Sequence, residues 1–586
     1  MDLITLTIDG QIVTVPKGTT VLEAAKQVGI SVPTLCHMKG INEIGACRIC
    51  VVEVQGMRGM QPSCVLTAAE GMVVNTNSAA AIRARRTNLE LILSTHPKDC
   101  LICSRNGNCE LQSLAEGMGI RKIRYEGERN EYPLDISTPS IVRDPNKCIL
   151  CRRCVAVCHQ VQGVGVLGAI ERGFDTIVSP EVGQQLNDVA CVLCGQCVMV
   201  CPTGALTEVD NVDRALAALA DPSKHVVVQT APAVRVAIGE EFGQAPGTVM
   251  TGQMVAGLRR LGVKQVFDTD FAADLTIWEE ATELVHRLQH GGTLPMITSC
   301  SPGWIKFIEH FYPDLLEHLS TCKSPQQMFG AVAKTYYAQK IGVKPEDMVV
   351  VSVMPCTAKK FESQRPEMAD SGVADVDMVL TTRELARMFK QAGIDLNQLP
   401  AEQFDDPLGI STGAAVIFGA TGGVMEAALR TAYEWLTKTS LPKIELTDVR
   451  GLKGIKEAAV ELPGTGITLK VAVAHSLSNA RKLLEAIKAG EADYHFIEVM
   501  ACPGGCISGG GQPRPADVND FAELRQQRIS GIYKADEQLS VRKSHENQAV
   551  KELYDTFLGE IGGHRAHHLL HTEYHARGKY PRQIKQ

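Results

Sequence analysis

Twenty cysteines in a chain of 586 residues constrain this sequence more than any other feature. Many of them stand in C-x2-C groups, and no basic segment precedes an apolar core at the N-terminus, so we expect no secretory signal. In a cytoplasmic protein of this length, grouped cysteines indicate metal sites rather than disulfides. A net charge of -7 argues against a nucleic-acid partner. No apolar run is long enough to span a membrane. We therefore expect a cytoplasmic metalloprotein with neither a nucleic-acid nor a membrane partner.

The most specific pattern lies in residues 140–219, where the run C-x2-C-x2-C-x3-C occurs twice. Runs of this kind ligate [4Fe–4S] clusters, and the fourth cysteine of each run ligates the other cluster. The predicted ligands of one cluster are therefore Cys148, Cys151, Cys154 and Cys201. Those of the other are Cys191, Cys194, Cys197 and Cys158. A pair of zinc knuckles is the alternative, and it does not account for so specific a repeat.

A glycine motif, G-x-G-x-x-G, lies between the two runs at residues 163–168. A dinucleotide site needs a strand before such a motif and a helix after it, whereas here a cysteine run precedes it. A phosphate-binding G-x4-G-K-[ST] motif is also missing from the sequence. We therefore expect no nicotinamide or flavin site on this chain.

Residues 1–79 show an alternation of apolar residues around Asp9 and Gly10, which predicts a β-hairpin, and Thr20 then caps a short helix. Four cysteines follow, at positions Cys36, Cys47, Cys50 and Cys64. Such a set fits zinc or a [2Fe–2S] cluster, and the hairpin–helix order favours the cluster. The segment resembles the ferredoxin-like β-grasp domain found at the start of respiratory complex I subunits and hydrogenases.

Residues 80–139 begin with a predicted helix and continue as H-x3-C-x2-C-x5-C. The candidate ligands are His96, Cys100, Cys103 and Cys109. One histidine with three cysteines fits a zinc site or an iron–sulfur cluster. The pattern resembles the His-ligated [4Fe–4S] module that follows the [2Fe–2S] domain in complex I and hydrogenases, and a histidine ligand raises the cluster's potential.

Residues 220–535 change to alternating strands and helices, which predicts parallel sheets covered by helices in a two-lobed α/β domain. Cys300 and Cys356 each follow a predicted strand, where α/β folds place ligands. Cys502 and Cys506 form a C-x3-C pair among glycines, which permit close approach to a bulky group. We predict that these three stretches converge on one metal site. A glycine turn at 419–423 enters a helix, and either anion binding or close packing explains it.

Three stretches identify the family that the chain resembles along essentially its whole length. They are Thr298-Ser-Cys-Ser-Pro-Gly-Trp304, Met354-Pro-Cys-Thr-Ala-Lys-Lys360 and Glu498-Val-Met-Ala-Cys-Pro-Gly-Gly-Cys506. They resemble the signatures of [FeFe]-hydrogenase catalytic subunits. The resemblance implies an H-cluster, which is a [4Fe–4S] cluster joined to a diiron unit with CO, CN⁻ and a dithiolate. It implies ligation by Cys356, Cys502 and Cys506, the last of which bridges to the diiron unit.

One position departs from the family pattern, which usually reads Thr-Ser-Cys-Cys-Pro. The second cysteine normally ligates the cluster and the first relays protons, but the second position here is Ser301. Either Cys300 becomes the ligand, or Ser301 ligates through oxygen and Cys300 keeps the relay. Thiolate is the commoner ligand, whereas position favours the serine. Cys322 is not an expected ligand, and a buried inert thiol is the simpler interpretation.

The resemblance also implies residues that move protons and surround the diiron unit. The relay to the surface would consist of Glu280, Glu283, Ser320 and Arg287. Without the family match, the glutamates would be read as an exposed helix face. The groups around the diiron unit would be Lys359, Ala231, Pro232, Gln326, Met354 and Met500. A lysine amine can donate a charge-assisted hydrogen bond to a cyanide ligand.

Residues 536–586 resemble the hydrogenase small-subunit region, fused here to the catalytic domain. The pairs His564/His568 and His567/His571 stand four residues apart, a spacing that could bind a metal, but a solvated helix face is the more ordinary interpretation.

The residue patterns and the resemblance together predict a multidomain α+β and α/β chain that catalyses H2 oxidation and proton reduction. Its cofactors would be one [2Fe–2S] cluster, three accessory [4Fe–4S] clusters and the H-cluster. Its partners would be flavin- and NAD(P)-binding subunits and ferredoxin-like subunits of a hetero-oligomer, with ferredoxin as a further candidate. The alternative is a non-catalytic iron–sulfur carrier or assembly protein, or an H2 sensor.

Overall fold

The computed structural model describes residues 2–181 and 183–578. Within these ranges, no helix combines the length and the apolar character that a bilayer crossing requires. The architecture is the predicted succession of small α+β units followed by a larger α/β body.

The first unit is a five-stranded sheet with the strand order β2-β1-β5-β3-β4. Its elements are β1 (Leu3–Ile8), β2 (Gln11–Pro16), α1 (Val21–Gln27), β3 (Val51–Val54), β4 (Gln61–Pro62) and β5 (Val73–Asn75). Asp9 and Gly10 both adopt positive φ between β1 and β2, as a tight two-residue hairpin turn requires. The Thr20 side chain accepts from the Glu23 N–H and so caps α1. The predicted hairpin and helix are both confirmed.

Two small units follow. Their helices are α2 (Ala79–Thr95), α3 (Glu110–Gly117), α4 (Arg153–Ala156) and α5 (Gln196–Val200). Their strands are β6 (Ile141–Arg143), β7 (Gly168–Ile170), β8 (Ile177–Ser179) and β9 (Leu206–Glu208), which form the antiparallel pairs β6–β9 and β7–β8. The G-x-G-x-x-G motif connects a helical turn to β7, so it lacks the preceding strand of a dinucleotide site.

The α/β body contains two four-stranded sheets. Its strands are β10 (His225–Thr230), β11 (Gln265–Asp268), β12 (Met296–Ile297), β13 (Met348–Met354), β14 (Met378–Thr381), β15 (Ile455–Leu462), β16 (Ile467–His475) and β17 (Phe496–Met500). The first sheet has the order β11-β10-β13-β14 and is wholly parallel. The second has the order β12-β17-β16-β15, in which only β15 runs antiparallel to its neighbour.

Helices cover both sheets. They are α6 (Val212–Ala220), α7 (Thr251–Arg260), α8 (Thr269–His290), α9 (Pro302–Phe311), α10 (Pro325–Val332), α11 (Ala338–Ile341), α12 (Ala358–Glu362), α13 (Thr382–Gln391), α14 (Gly413–Val416), α15 (Gly423–Thr437) and α16 (Leu477–Lys488). Strand β10 is buried along nearly its whole length, as expected of a strand with helices on both faces.

Strand β17 contains Glu498, a fully buried carboxylate that interrupts its apolar run. This carboxylate accepts from the Gly422 N–H at 2.6 Å and the Met425 N–H at 2.7 Å. It therefore serves the first turn of α15, where the helix dipole favours negative charge.

The C-terminal region consists of α17 (Phe521–Glu537), α18 (Gln548–Leu553) and α19 (His564–Leu570). Tyr554 stacks on Trp278 of α8 with ring centroids 5.3 Å apart, so this region packs on the helix that carries the predicted relay. His564, His567 and His568 are exposed, as the solvated interpretation requires. His571 is buried, however, so for this residue that interpretation is wrong. The boundaries predicted at 219 and 535 fall inside α6 and α17.

Candidate metal centre

A cavity lies where the carboxyl ends of strands from both sheets meet. Ala231 and Pro232 follow β10, Cys356 follows β13, and the other two cysteine stretches follow β12 and β17. Parallel strands present their carboxyl ends at one edge, which is where α/β folds place ligands. The predicted residues that line the cavity are Ala231, Pro232, Cys300, Ser301, Gln326, Met354, Cys356, Lys359, Met500, Cys502 and Cys506. The three distant stretches therefore converge in space.

Three of the thiols form a compact group. Cys356 and Cys506 are close enough to Cys502 to raise its pKa further, beyond the main effect of burial. Burial raises the pKa of Cys506 to about 12, so without a cation this thiol keeps its proton. A metal replaces such protons, because thiolate is the ligating form. A buried group of thiols in a largely apolar cavity therefore fits an iron–sulfur cofactor.

Cys300 and Ser301 face different partners. The Ser301 Oγ accepts from the Ala501 N–H at 3.3 Å, next to the ligand candidate Cys502. Burial raises the pKa of Cys300 well above its usual range, and the nearby Glu280 carboxylate raises it further. Thus the serine contacts the segment of the cysteine group, and the thiol of Cys300 interacts with the predicted relay.

Lys359 and Gln326 share a carboxylate at the cavity wall. The Lys359 Nζ donates to the Glu362 carboxylate at 2.9 Å and to the Cys300 carbonyl at 3.2 Å. The Gln326 Nε2 donates to the same carboxylate at 3.0 Å, while its buried Oε1 has no partner within the described residues. A fixed amine and an unsatisfied amide at the wall are consistent with a polar ligand inside the cavity.

The glycines around Cys502 and Cys506 serve protein packing more than the sequence indicated. A Cβ on Gly505 would lie 2.6 Å from the Thr421 nitrogen, and one on Gly509 would lie 2.0 Å from the Pro355 oxygen. These residues border the cavity, but the atoms that forbid a side chain belong to neighbouring backbone. Close packing of the backbone is therefore a further reason for glycine at these positions.

The predicted relay residues lie together on one side of the cavity. The Ser320 hydroxyl donates to the Glu283 carboxylate at 2.9 Å, and Arg287 Nη2 donates to the other oxygen at 2.6 Å. Burial, followed by the charge of Glu283, raises the pKa of Glu280 to about 8, while Ser320 partly offsets this increase. Glu280 is 1% exposed, so the exposed-face interpretation is wrong. The groups lead from Cys300 towards Arg287, whose side chain is only partly exposed.

The two ferredoxin-like cysteine groups each surround their own cavity. One cavity is lined by Cys148, Cys151, Cys154 and Cys201. The other is lined by Cys158, Cys191, Cys194 and Cys197. This is the crosswise grouping that the spacing predicts. Cys194 also borders the cavity between the two sheets, so the second group adjoins the candidate catalytic centre.

The first two candidate sites both contact the first ferredoxin-like group. The Asn42 Nδ2 donates to the carbonyl of Cys36 at 2.7 Å and to that of Cys151 at 3.0 Å. Cys109 lies 3.6 Å from the Pro202 carbonyl, next to Cys201. The two N-terminal sites therefore both adjoin the first ferredoxin-like group, one at Cys151 and the other beside Cys201.

Within the first of these sites the four candidate cysteines also lie close together. A hydrogen bond from Cys47 lowers the pKa of Cys36 to about 6, and one from Cys64 lowers that of Cys50 to about 7. Burial lowers the pKa of His96 to about 4, and its Nδ1 has no partner within the described residues. A neutral imidazole with a free nitrogen suits metal ligation. Cys100 is exposed and Cys103 is partly exposed.

Sequence reasoning missed several residues that complete the cavity. Thr269 and Ala273 come from α8, and Phe418 precedes α15. Small or apolar residues of this kind carry no local signal of function, because the same types fill ordinary cores. Asn42 and Tyr554 were also missed, since their partners are distant in sequence.

Together, the successive cysteine sites and the buried cavity define an iron–sulfur oxidoreductase with a catalytic metal centre. Family models match along the chain. They describe a 2Fe-2S iron-sulfur cluster binding domain at 1–79, an NADH-ubiquinone oxidoreductase-G iron-sulfur binding region at 85–124 and an NADH-quinone oxidoreductase subunit 3 ferredoxin-like domain at 138–207. The C-terminal domain of the iron only hydrogenase large subunit matches 224–510, and the iron hydrogenase small subunit matches 522–577.

Among curated proteins, the NADP-reducing hydrogenase subunit HndD of Solidesulfovibrio fructosivorans is 55% identical, over 98% of this chain and 100% of its own length. Iron hydrogenase 1 of Clostridium pasteurianum is 42% identical over 97% of this chain and 99% of its own. A structure of [FeFe]-hydrogenase HydA1 from Chlamydomonas reinhardtii is 49% identical, covers 63% of this chain and all of that one (100%), and gives a TM-score of 0.57. The chain belongs to the [FeFe]-hydrogenase family and is an iron hydrogenase.

The residues present fit the family's cofactor, which supplies the metal at which H2 is split or formed. The chain's own contribution follows from the geometry. The thiols of the cavity would hold the metal, apolar side chains such as Met354 and Phe418 line the space around it, and the Lys359 amine is fixed at the wall by Glu362. Proton transfer through a dry interior requires closely spaced titratable groups. Glu280 and Glu283 with Ser320 are the groups that this side of the cavity offers.

Proposed function

We propose that this chain is the catalytic subunit of a hetero-oligomeric hydrogenase. It interconverts H2 with protons and electrons, and the electrons pass through accessory clusters to partner subunits that carry flavin and bind NAD(P), with ferredoxin as a further acceptor. The observation that carries this proposal is Cys194, which borders both the catalytic cavity and the nearest ferredoxin-like group.

The cluster complement follows from the cysteine groups. One [2Fe–2S] cluster takes the four cysteines of residues 1–79, and a [4Fe–4S] cluster takes His96 with three cysteines of the next module. Two further [4Fe–4S] clusters are bound by the two ferredoxin-like cysteine groups, and the H-cluster is bound in the cavity between the two sheets. Iron and sulfide quantification, with potentiometric EPR, tests this set of one [2Fe–2S], three accessory [4Fe–4S] clusters and the H-cluster. A zinc signal at either N-terminal site would contradict it.

The path of electrons is branched in this proposal. Asn42 connects the [2Fe–2S] site to the first ferredoxin-like group, and Cys109 approaches that group from the His-containing module. Both N-terminal clusters therefore pass electrons to the first ferredoxin-like group, which contains Cys148. Electrons then pass to the second group, which contains Cys191, and from there to the catalytic centre. The second ferredoxin-like group packs tightly against the α/β body, since a Cβ on Gly195 would lie 3.0 Å from the Cα of Gly510. The proposal also divides the chain into five domains, with boundaries after residues 79, 139, 219 and 535.

The fourth corner of the catalytic cluster is assigned to Ser301, and Cys300 to the proton relay. The contacts support this, because the Ser301 Oγ bonds to the segment of Cys502 whereas Cys300 interacts with Glu280. Replacement Ser301→Cys should keep H2 turnover and shift the potential of the catalytic [4Fe–4S] cluster. Replacement Cys300→Ala should leave that cluster's EPR signal intact and reduce turnover. Loss of the cluster in Cys300→Ala would instead make Cys300 the ligand.

The partner assignment has two supports. The relative HndD is described as a subunit of an NADP-reducing hydrogenase, and the sequence contains no P-loop or valid dinucleotide motif. The test is affinity purification of the chain from its native host, followed by an assay of H2-dependent NAD⁺ and NADP⁺ reduction. Copurification of a flavoprotein with that activity is expected. A chain isolated alone that exchanges electrons only with ferredoxin would contradict the complex.

A further inference from the structure

A buried group of three potential metal ligands lies outside the catalytic cavity. It consists of Glu283 of α8, Cys322 of the loop before α10 and His571 of the C-terminal region, whose ligand atoms all lie within 4.8 Å of one another. Cys322 Sγ is 4.0 Å from the nearer Glu283 oxygen. An imidazole nitrogen, a thiolate and a carboxylate oxygen are the three donor types that Zn²⁺ takes in proteins.

Both nitrogens of His571 have a hydrogen-bond partner, and a metal on Nδ1 would displace only the Thr321 hydroxyl. Its Nε2 lies 3.0 Å from the Glu279 carboxylate, which also accepts from the Tyr554 hydroxyl and the Gly562 N–H. A carboxylate bonded in this way accepts from the imidazole, so the proton is on Nε2 and the lone pair is on Nδ1. Nδ1 faces the Thr321 hydroxyl at 2.7 Å. A carboxylate behind a histidine is the usual support of a zinc ligand.

Charge balance also favours a divalent cation here. Burial raises the pKa of the Cys322 thiol well above its usual range, and the nearby carboxylates of Glu283, Glu280 and Glu279 raise this pKa further. Binding Zn²⁺ would release this proton, so that the Cys322 thiolate and the carboxylates of Glu283 and Glu279 together balance the charges of Zn²⁺ and Arg287. A neutral complex costs far less to bury than an unpaired ion. Glu283 can keep Arg287 on its other oxygen, since that ion pair uses Oε1.

We propose that Glu283, Cys322 and His571 form a site for one Zn²⁺ ion, with Glu279 as the residue that positions His571. The fourth position would be a water molecule on the side of Ser320. The binding stands independently of the proposed function. Its consequence rests on that function, because a cation on Glu283 would occupy a residue of the proton relay and inhibit H2 turnover.

The test uses the anaerobic holoenzyme with its iron clusters intact, so that the cluster cysteines are already occupied. Equilibrium dialysis against Zn²⁺ should give one tight equivalent. Zinc K-edge X-ray absorption should then show one sulfur at about 2.3 Å and nitrogen or oxygen at about 2.0–2.1 Å. Because this edge is specific for zinc, the iron clusters do not interfere. Absence of a tight equivalent, or zinc without a sulfur neighbour, would overturn the site.

Variants locate the ion. Cys322→Ala should remove the sulfur neighbour, and Glu279→Gln should weaken binding about 10–100-fold. His568→Gln changes an exposed histidine of α19, the helix that ends just before His571, and should leave binding unchanged. Iron content and the EPR spectra of the accessory clusters report whether each variant folds, and Cys322→Ser provides a more conservative replacement. A sulfur neighbour that persists in both Cys322 variants would overturn the assignment.

The inhibition test separates the site from the function. Wild-type holoenzyme should lose H2 evolution as the tight equivalent fills, and Cys322→Ala should resist the same zinc concentration. If zinc fills the site in the wild type without lowering turnover, the site stands and the relay role of Glu283 is overturned.

Discussion

Replacement of Glu280 by glutamine is the sharpest test of the proton relay. Burial raises the pKa of this carboxyl from 4.5 to about 8, so about nine-tenths of it is protonated at pH 7. It can therefore both give and regain a proton near neutrality, which general acid–base transfer requires. Glutamine keeps the size and neutrality of the protonated acid but cannot pass a proton on. We expect H2 evolution to fall by about 10²–10⁴-fold, the usual contribution of a positioned acid–base group.

The pH dependence adds a second, independent result. In the wild type, H2 evolution should decline above pH 8, approaching tenfold per pH unit as Glu280 loses its proton. The glutamine variant should lack this decline. The effect on stability has the opposite sign to a favourable ion pair: because the folded-state pKa is raised, Glu280 lowers stability as pH rises from about 4.5 through about 8. Glutamine should remove that loss.

The assay is H2 evolution from reduced methyl viologen, with the EPR signals of the accessory clusters confirming that each variant is assembled. Asp274→Asn is the matched control. Asp274 is on the same helix, is equally buried and has a pKa raised to about 7, yet its carboxylate accepts from Thr412 and Asn547, away from the cavity. A glutamine variant that retains wild-type turnover, or an equal loss in the control, would refute the reasoning.

Three further predictions concern structure and electron transfer. Arg430 is fully buried between Glu426 and Asp536, so Arg430→Met should lower the free energy of unfolding by about 3–5 kcal/mol. Arg259→Met, at a partly exposed ion pair, should lower it by under about 1 kcal/mol. Urea unfolding followed by circular dichroism measures both values. His96→Cys should lower the potential of its cluster, by on the order of 100 mV, in an EPR redox titration that leaves the other clusters unchanged. Asn42→Ala should leave two buried carbonyls unsatisfied at about 1–3 kcal/mol each and increase hydrogen exchange in residues 1–79 but not in the α/β body.

Local spacing explains why most of the metal chemistry could be predicted. In the doubled cysteine run, the chain itself brings three of each set of four ligands together, and the fourth follows from the crosswise rule. The hairpin at Asp9 and Gly10 is equally local, since two residues with positive φ determine the turn. Such features depend on a few neighbouring residues, so the sequence contains nearly all the information about them.

Other parts of the molecule depend on contacts that no local pattern reveals. Strand β17 contains Glu498, which is unfavourable in a buried strand unless the first turn of α15 lies beside it. His571 looks like one more histidine of an exposed helix, yet its partner Glu279 is 292 residues away in sequence. The carboxylates of the proposed proton relay likewise resemble a solvated helix face until the neighbouring elements are placed. In each case, tertiary packing supplies the partner that offsets the cost of burying the charge.

The C-terminal region has a physical role that follows from helix α8. This helix buries Asp274 and Glu279 as well as Glu280, the proposed relay residue. Asp274 receives a hydrogen bond from Asn547, while Tyr554 and His571 donate to Glu279. Burying such carboxylates without these donors would cost several kcal/mol each, so the helix needs the C-terminal region to remain packed in this register. Because Glu280 and Glu283 are close to Glu279 on this helix, the residues that satisfy Glu279 also hold the proposed relay in line with the cavity.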